Sequence, residues 1–97
     1  MITRIVKMTF QPEKVEDFLA NFHKNKESIR GFEGCEHLEL WRDENQNNVF
    51  FTYSWWQGAE YLENYRNSQL FAGVWKYTKS LFSDKPQAWS VKQQVKL

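Results

Sequence analysis

Residues 49–56 read VFFTYSWW, and this stretch decides the fold. Side chains of a strand alternate between its two faces, so a sheet with one face in water shows apolar and polar residues in alternation. Here one face carries Tyr53 and Trp55. The other face carries Phe50 and Trp56. We therefore expect both faces of this strand to be covered, one of them by a second subunit.

Hydrophobic periodicity divides the rest of the chain into short strands and helices. Residues 2–10 form a strand that also has apolar side chains on both parities. The order of elements is βαββαβ, which predicts a single α+β domain over residues 1–97, ferredoxin-like, with an antiparallel four-stranded sheet and helices on one face. The predicted elements are a strand at 2–10, a helix from Pro12 to Gly31, strands at 35–43 and 49–56, helical pieces after Gly58 and on either side of a break at Asn67-Ser68, and a strand carrying Trp89, Val91 and Val95.

Aromatic residues make up 18% of this 97-residue chain. A domain of this size has a thin core, and each ring brings roughly 150–250 Å² of surface to bury. The surplus predicts a further place of burial, either a subunit interface or a pocket for a small aromatic or hydrophobic metabolite.

Charge and composition argue against several classes of function. The net charge is +1, so no basic surface for nucleic acid is expected. No apolar run is long enough for a membrane span. Cys35 is the one cysteine, which fits a cytoplasmic location. With no phosphate-binding glycine loop and no metal-ligand spacing, we expect neither a cofactor nor a metal.

Three short motifs give the chain a resemblance to a known family. They are Phe32-Glu33-Gly34-Cys35, Tyr53-Ser54-Trp55 followed by Ala59-Glu60-Tyr61, and Asn67-Ser68-Gln69-Leu70-Phe71. In order and spacing they resemble the antibiotic biosynthesis monooxygenase family of dimeric α+β barrels. The resemblance implies a homodimer in which each subunit keeps a pocket between its sheet and its helices.

Two branches of that family offer different site residues. The resemblance to the cofactor-free, quinone-forming branch implies catalytic roles for Trp55 and Tyr61, while Phe51 and Trp75 stand where that branch has an Asn and an Arg. In the haem-degrading branch an Asn, a Trp and an iron-ligating His occupy the positions of Val6, Tyr65 (or Asn64) and Trp75. The resemblance therefore implies a function other than haem degradation.

Aromatic residues at helical spacing form the predicted wall of the pocket. On the two helical pieces these are Tyr65, Phe71 and Trp75, with Thr78 as a hydroxyl among apolar neighbours. Val6 and Phe51 are the matching strand positions for substrate binding. The alternative is that all of these residues are plain core, and that the hydroxyl of Thr78 bonds back to its own helix.

Histidine is the natural general base near neutral pH, and the chain has two. His37, on the second strand, is the candidate base and alternatively faces a partner subunit. His23 flanks the apolar stripe of the first helix and is expected at the surface. Cys35 has no activating neighbour in the sequence and is expected to be a buried apolar residue.

These observations leave three functions open. The first is a cofactor-independent monooxygenase acting on a small aromatic or quinone-like molecule. The second is a dimeric domain that binds a hydrophobic metabolite without turnover, which the bulk of Phe51 and Trp75 favours. The third, on family grounds only, is an isomerase of a small signal molecule.

Overall fold

A computed structural model describes all 97 residues and confirms the α+β, ferredoxin-like architecture. Pro12–Lys14 form a 3₁₀ turn that leads into the first helix, as expected for a proline at a helix start. The elements are β1 (Ile2–Thr9), α1 (Val15–Arg30), β2 (Cys35–Arg42), β3 (Val49–Trp56), α2 (Ala59–Arg66), α3 (Gln69–Ser80) and β4 (Gln87–Val91).

The four strands form one antiparallel sheet in the order β2-β3-β1-β4. Met8 lies opposite Phe50 in the β1–β3 register, and Arg4 lies opposite Ser54. The even-numbered residues of these two strands therefore share the sheet face that carries the helices. Their odd-numbered residues share the other face, which we call the open face.

The core lies between the helix-covered face of the sheet and α1. The ring of Phe10 is fully buried and stacks on Phe18 at a centroid distance of 4.2 Å. Phe18 in turn lies 5.2 Å from Phe50 on β3. Burying such side chains contributes about 1.5–3 kcal/mol each, and the predicted apolar stripe of α1 supplies this half of the core.

The predicted break between the two helical pieces is confirmed at Ser68. Its hydroxyl accepts a hydrogen bond from the backbone N–H of Phe71 at 3.1 Å and donates one to the carbonyl of Tyr65 at 2.6 Å. Ser68 therefore caps α3 and closes α2 at the same time. None of the helices has the length and apolar character needed to cross a bilayer.

The prediction that the last strand reaches Val95 is wrong. The strand ends at Val91, which pairs with Thr3, and Val95 is 73% exposed. β4 is an edge strand whose only partner is β1, and β1 begins at Ile2. The pairing of β4 with β1 runs from Gln87 to Val91 and does not extend to Val95.

Candidate functional site

A cavity of about 270 Å³ lies between the sheet and the helices. Its floor consists of even-numbered strand residues, including Val6 on β1 and Thr52 on β3. Its other side is formed by α2 and α3, and most of its lining is apolar. An apolar pocket with a few polar groups is the usual form of a small-molecule site.

Three aromatic rings on the helices form one wall of this cavity. Tyr65 meets Phe71 edge to face at 5.1 Å, and Phe71 stacks on Trp75 at 5.6 Å. The ring of Tyr65 also stacks on Trp56 at 5.0 Å. Because these rings hold one another in place, the wall offers a pre-formed surface to a flat ligand.

Tyr65 supplies the wall with a hydroxyl group. Burial raises the pKa of this phenol, and the neighbouring Cys35 adds a smaller effect in the same direction. The hydroxyl therefore keeps its proton across the physiological range and can donate it in a hydrogen bond. No buried side-chain oxygen of the protein lacks a partner, so this hydroxyl, for which no hydrogen bond is found, is not fully enclosed.

Two other polar side chains at the cavity already have partners. The hydroxyl of Thr78 donates a hydrogen bond to the carbonyl of Val74 at 2.7 Å. This is the bond back to its own helix that the sequence analysis gave as the alternative to ligand binding. The indole N–H of Trp56 donates to the hydroxyl of Ser54 at 3.0 Å. Both bonds leave these groups less free than Tyr65 to bind a ligand.

The exposed rim of the cavity carries two arginines that the sequence analysis did not select. Arg4, half-buried on β1, donates to the hydroxyl of Ser90 on β4 at 3.0 Å. Arg66 lies at the end of α2. The sequence does contain a feature that could have identified Arg4, because this charged residue lies on the same strand face as the apolar residues Val6 and Met8. Arg66 looked like an ordinary cation at a helix C-terminus.

Five of the residues predicted for the site meet at this cavity. The structure brings together Val6, Tyr65, Phe71, Trp75 and Thr78.

Three other predicted site residues lie elsewhere. Trp55, Phe51 and His37 point to the open face and do not line this cavity, so their roles in catalysis or substrate binding stay predictions. The physical reason for their orientation is the alternation of strand side chains, which turns Trp56 toward the helices and Trp55 away from them.

On the open face these residues form an aromatic cluster of their own. His37 stacks on Trp55 at 4.2 Å, and Trp41 stacks on Tyr53 at 4.6 Å. His37 also bonds to the carboxylate of Glu39, which accepts a second bond from the indole of Trp41 at 2.8 Å. The hydrogen bonds from His37 and Trp41 hold the pKa of Glu39 below its ordinary value, and His37 has the larger effect.

Tyr61 lies outside the cavity too. It packs beside the small cluster of Cys35, Trp56 and Leu62 and against the backbone of Gly34. Its position on α2 therefore serves packing in this structure, whereas Tyr65, one helical turn later, reaches the cavity.

The cavity has no side chain suited to remove a proton. No His, Cys, Asp or Glu lines it. His23 is exposed on α1, and burial raises the pKa of the Cys35 thiol, which keeps that group neutral. Nor do three His, Cys, Asp or Glu side chains come together anywhere in the chain in a way that would hold a metal ion.

A ferredoxin-like sheet with an aromatic cavity under its helices defines the class of protein, and comparison with known proteins defines the family. The family model described as antibiotic biosynthesis monooxygenase matches residues 1–75. The chain belongs to this family, which supports an oxidoreductase function in coarse terms.

Solved structures agree with the fold. A crystal structure of an antibiotic biosynthesis monooxygenase is similar with a TM-score of 0.92 at 15% identity, covering 98% of this chain and 100% of that one. A conserved protein from Methanosarcina mazei Go1 is similar with a TM-score of 0.89 at 17% identity, covering 97% and 94%. At these identities the likeness concerns the fold alone.

One curated relative has a named activity. The heme oxygenase (staphylobilin-producing) of Staphylococcus epidermidis is 30% identical over 74 residues, which are 74% of this chain and 70% of the relative.

Proposed function

We propose that this protein is a cofactor-independent monooxygenase that oxidises a small aromatic molecule of phenol or quinone type. The observation that carries the proposal is the cavity of about 270 Å³ with an aromatic wall and the protonated hydroxyl of Tyr65. Membership of the family supports the oxidoreductase class.

In this chemistry the substrate itself reduces dioxygen. A CH₂ group between two aromatic rings loses a proton and forms a stabilised carbanion, which reacts with O₂. Two C–H bonds are replaced by one C=O bond, one oxygen atom stays in the product, and the other leaves as water. The carbon gives up four electrons and O₂ accepts four, so no further reductant is needed.

The protein's part is to bind, orient and keep the site dry. Phe71 and Trp75 hold a flat substrate, and the apolar lining excludes water. Tyr65 donates a hydrogen bond to the oxygen on which negative charge develops. Because no carboxylate or imidazole lines the cavity, the proton leaves to water at the rim, from a substrate acidic enough to ionise there.

Oxygen uptake with a panel of hydroquinones and anthrones tests the proposal. We expect Tyr65→Phe to lower kcat by roughly tenfold or more, since it removes a donor to the oxyanion. Tyr77→Phe is the control, because Tyr77 is exposed on α3 and outside the cavity. Equal rates in wild type and Tyr65→Phe would contradict the proposed mechanism. Tight binding of the aromatic compounds with no uptake would instead support binding without turnover.

Haem degradation is the second candidate, and the relative from Staphylococcus epidermidis favours it. The residues of the cavity do not fit a haem. No imidazole lines it, and Tyr65 keeps its proton and so is a poor ligand for iron. Met8 also lines the cavity, but its side chain is almost fully buried against the phenylalanine core, which leaves its thioether little access to an iron atom. We expect titration with haemin to produce no saturable shift of the Soret band, and a one-to-one complex would favour the haem reaction.

We also propose that two copies of the chain pair through the open face. Trp41 and Trp89 there are 41% and 44% exposed, beside the stacked pair of His37 and Trp55. A contiguous aromatic surface of this kind is typical of an interface. Light scattering is expected to give a dimer for the wild type and a monomer for Tyr53→Lys. A monomeric wild type at micromolar concentration would contradict the pairing.

A further inference from the structure

Arg4 lies in an unusual position for a charged side chain. It is half-buried on the helix-covered face of the sheet, with Ser54 opposite it on β3 and Ser90 opposite it on β4. The ion pairs of the structure are His37–Glu39 and Glu63–Arg66, so Arg4 pairs with no carboxylate. Its guanidinium group donates one side-chain hydrogen bond, to the neutral hydroxyl of Ser90. A partly buried charge with so little compensation is energetically unfavourable.

A second guanidinium group adds to the uncompensated positive charge at this end of the cavity. Burial lowers the pKa of Arg4, and the positive charge of Arg66 lowers it further, while Glu63 acts in the opposite direction. Glu63 contacts Arg66 at 3.4 Å, and both of these side chains are largely exposed. Two positive charges therefore face one negative charge at the rim of an otherwise apolar cavity.

We infer that the ligand of this cavity is an aromatic acid that binds as its anion, with its charged oxygen atoms at Arg4 and Arg66 and its rings against Phe71 and Trp75. The inference rests on the proposed function in taking the cavity as the substrate site. Guanidinium groups are suited to this task because they donate several hydrogen bonds in a fixed plane to carboxylate or phenolate oxygens.

The dimensions and the chemistry of the cavity agree with such a ligand. Sites for drug-sized molecules measure roughly 300–1,000 Å³, so a cavity of about 270 Å³ suits a small aromatic molecule. The same two arginines also suit the proposed reaction. The lining offers no base, and a positive rim favours loss of the CH₂ proton where the resulting charge is shared with a phenol-type oxygen of the substrate.

Two probes of matched shape test the inference. Naphthalene-2-carboxylate and naphthalene-2-carboxamide differ in charge but hardly in size, and their dissociation constants can be measured by calorimetry. For the wild type we expect the carboxylate to bind about tenfold more tightly, as for charge-assisted hydrogen bonds at a partly exposed site. The preference is expected to shrink as salt is added.

Variants then locate the preference. Arg66→Gln is expected to lower the ratio of the two constants, and the Arg4→Gln/Arg66→Gln double variant to bring it close to one. Arg66→Lys keeps the charge and should therefore retain more of the preference for the carboxylate than Arg66→Gln does. Lys76→Gln is the control, because Lys76 is exposed on α3 and does not line the cavity. Arg66 is exposed, so its variants are expected to fold even where Arg4→Gln does not.

The outcomes separate this inference from the proposed function. Equal affinity of the wild type for both probes would overturn the anionic ligand and leave the aromatic pocket intact. Binding of neither probe would overturn both. If Lys76→Gln abolished the preference for the carboxylate as fully as Arg66→Gln, the preference would arise from the net charge of the protein. That result would overturn its assignment to the two arginines at the rim.

Discussion

Gly34 and Tyr61 approach each other so closely that no side chain fits between them. The φ angle of Gly34 is +90°, and a Cβ atom built on it would lie 2.3 Å from the Cβ of Tyr61. The backbone N–H of Gln57 also donates to the carbonyl of Gly34 at 2.9 Å. The loop before β2 is thus fastened to α2, the helix that carries Tyr65 and Arg66 to the cavity.

The first prediction concerns this contact. Gly34→Ala is expected to lower the free energy of unfolding by about 2–4 kcal/mol, because it combines a left-handed backbone with overpacking against Tyr61. Chemical denaturation measures it.

Gly73→Ala is the matched control. A Cβ at Gly73 meets nothing within 4 Å, and the residue lies inside α3. This change is expected to stabilise the protein by roughly 0.5–1 kcal/mol, since alanine favours a helix. A loss at Gly34→Ala no larger than the effect at Gly73 would contradict the close contact.

The second prediction concerns the bond between Trp56 and Ser54. Trp56 is 1% exposed, and its N–H donates to the hydroxyl of Ser54. Ser54→Ala leaves that N–H without a partner and is expected to cost about 1–3 kcal/mol. In a Trp56→Phe background, where no N–H remains, the same change should cost clearly less. Additive losses in this double-mutant cycle would show that the bond contributes nothing.

The third prediction follows from the raised pKa of Tyr65. The folded protein keeps this proton at a pH where an unfolded tyrosine, with a pKa of about 10, loses it. Its contribution to stability is therefore complete below about pH 10 and is lost as the pH rises further. Phenolate absorbance should show a late-titrating tyrosine that disappears in Tyr65→Phe and remains in Tyr77→Phe. A titration curve unchanged by Tyr65→Phe would contradict the buried phenol.

The fourth prediction separates the two tryptophans that the sequence offered for the pocket. Trp75→Leu is expected to weaken binding of naphthalene-2-carboxylate by roughly tenfold, because it removes a stacking surface from the cavity wall. Trp55→Leu should leave the affinity within about twofold, since Trp55 faces away from the cavity. The reverse ranking would move the ligand to the open face.

Local chemistry explains why much of the fold could be predicted. Hydrophobic periodicity predicted the order of the strands and helices, and the Asn67-Ser68 break was predictable because serine is a favoured helix cap. The end of β4 was not readable in this way. Val95 has strand propensity, but a strand also needs a partner backbone, and the pairing with the distant β1 ends at Val91.

The site was predictable only in part, for a related reason. Helical spacing placed Tyr65, Phe71 and Trp75 on one side of their helices, and they do meet at the cavity. The motif that suggested Trp55 and Tyr61 carried no information on which sheet face the helices cover. Arg4 and Arg66 lie 62 positions apart in the chain, and no local pattern relates them.

The sequence by itself determined the aromatic surplus of residues 49–56, the order of the strands and helices along the chain, and the expectation that both faces of the sheet are covered. Periodicity and helix capping depend on residues that are close together in the chain, so both can be recognised from the sequence alone. Only the tertiary structure decided that Trp56 faces the helices and Trp55 the open face, and that Arg4 and Arg66 line the same cavity. These facts depend on which face of the sheet receives the helices, a choice made by the packing of the whole chain.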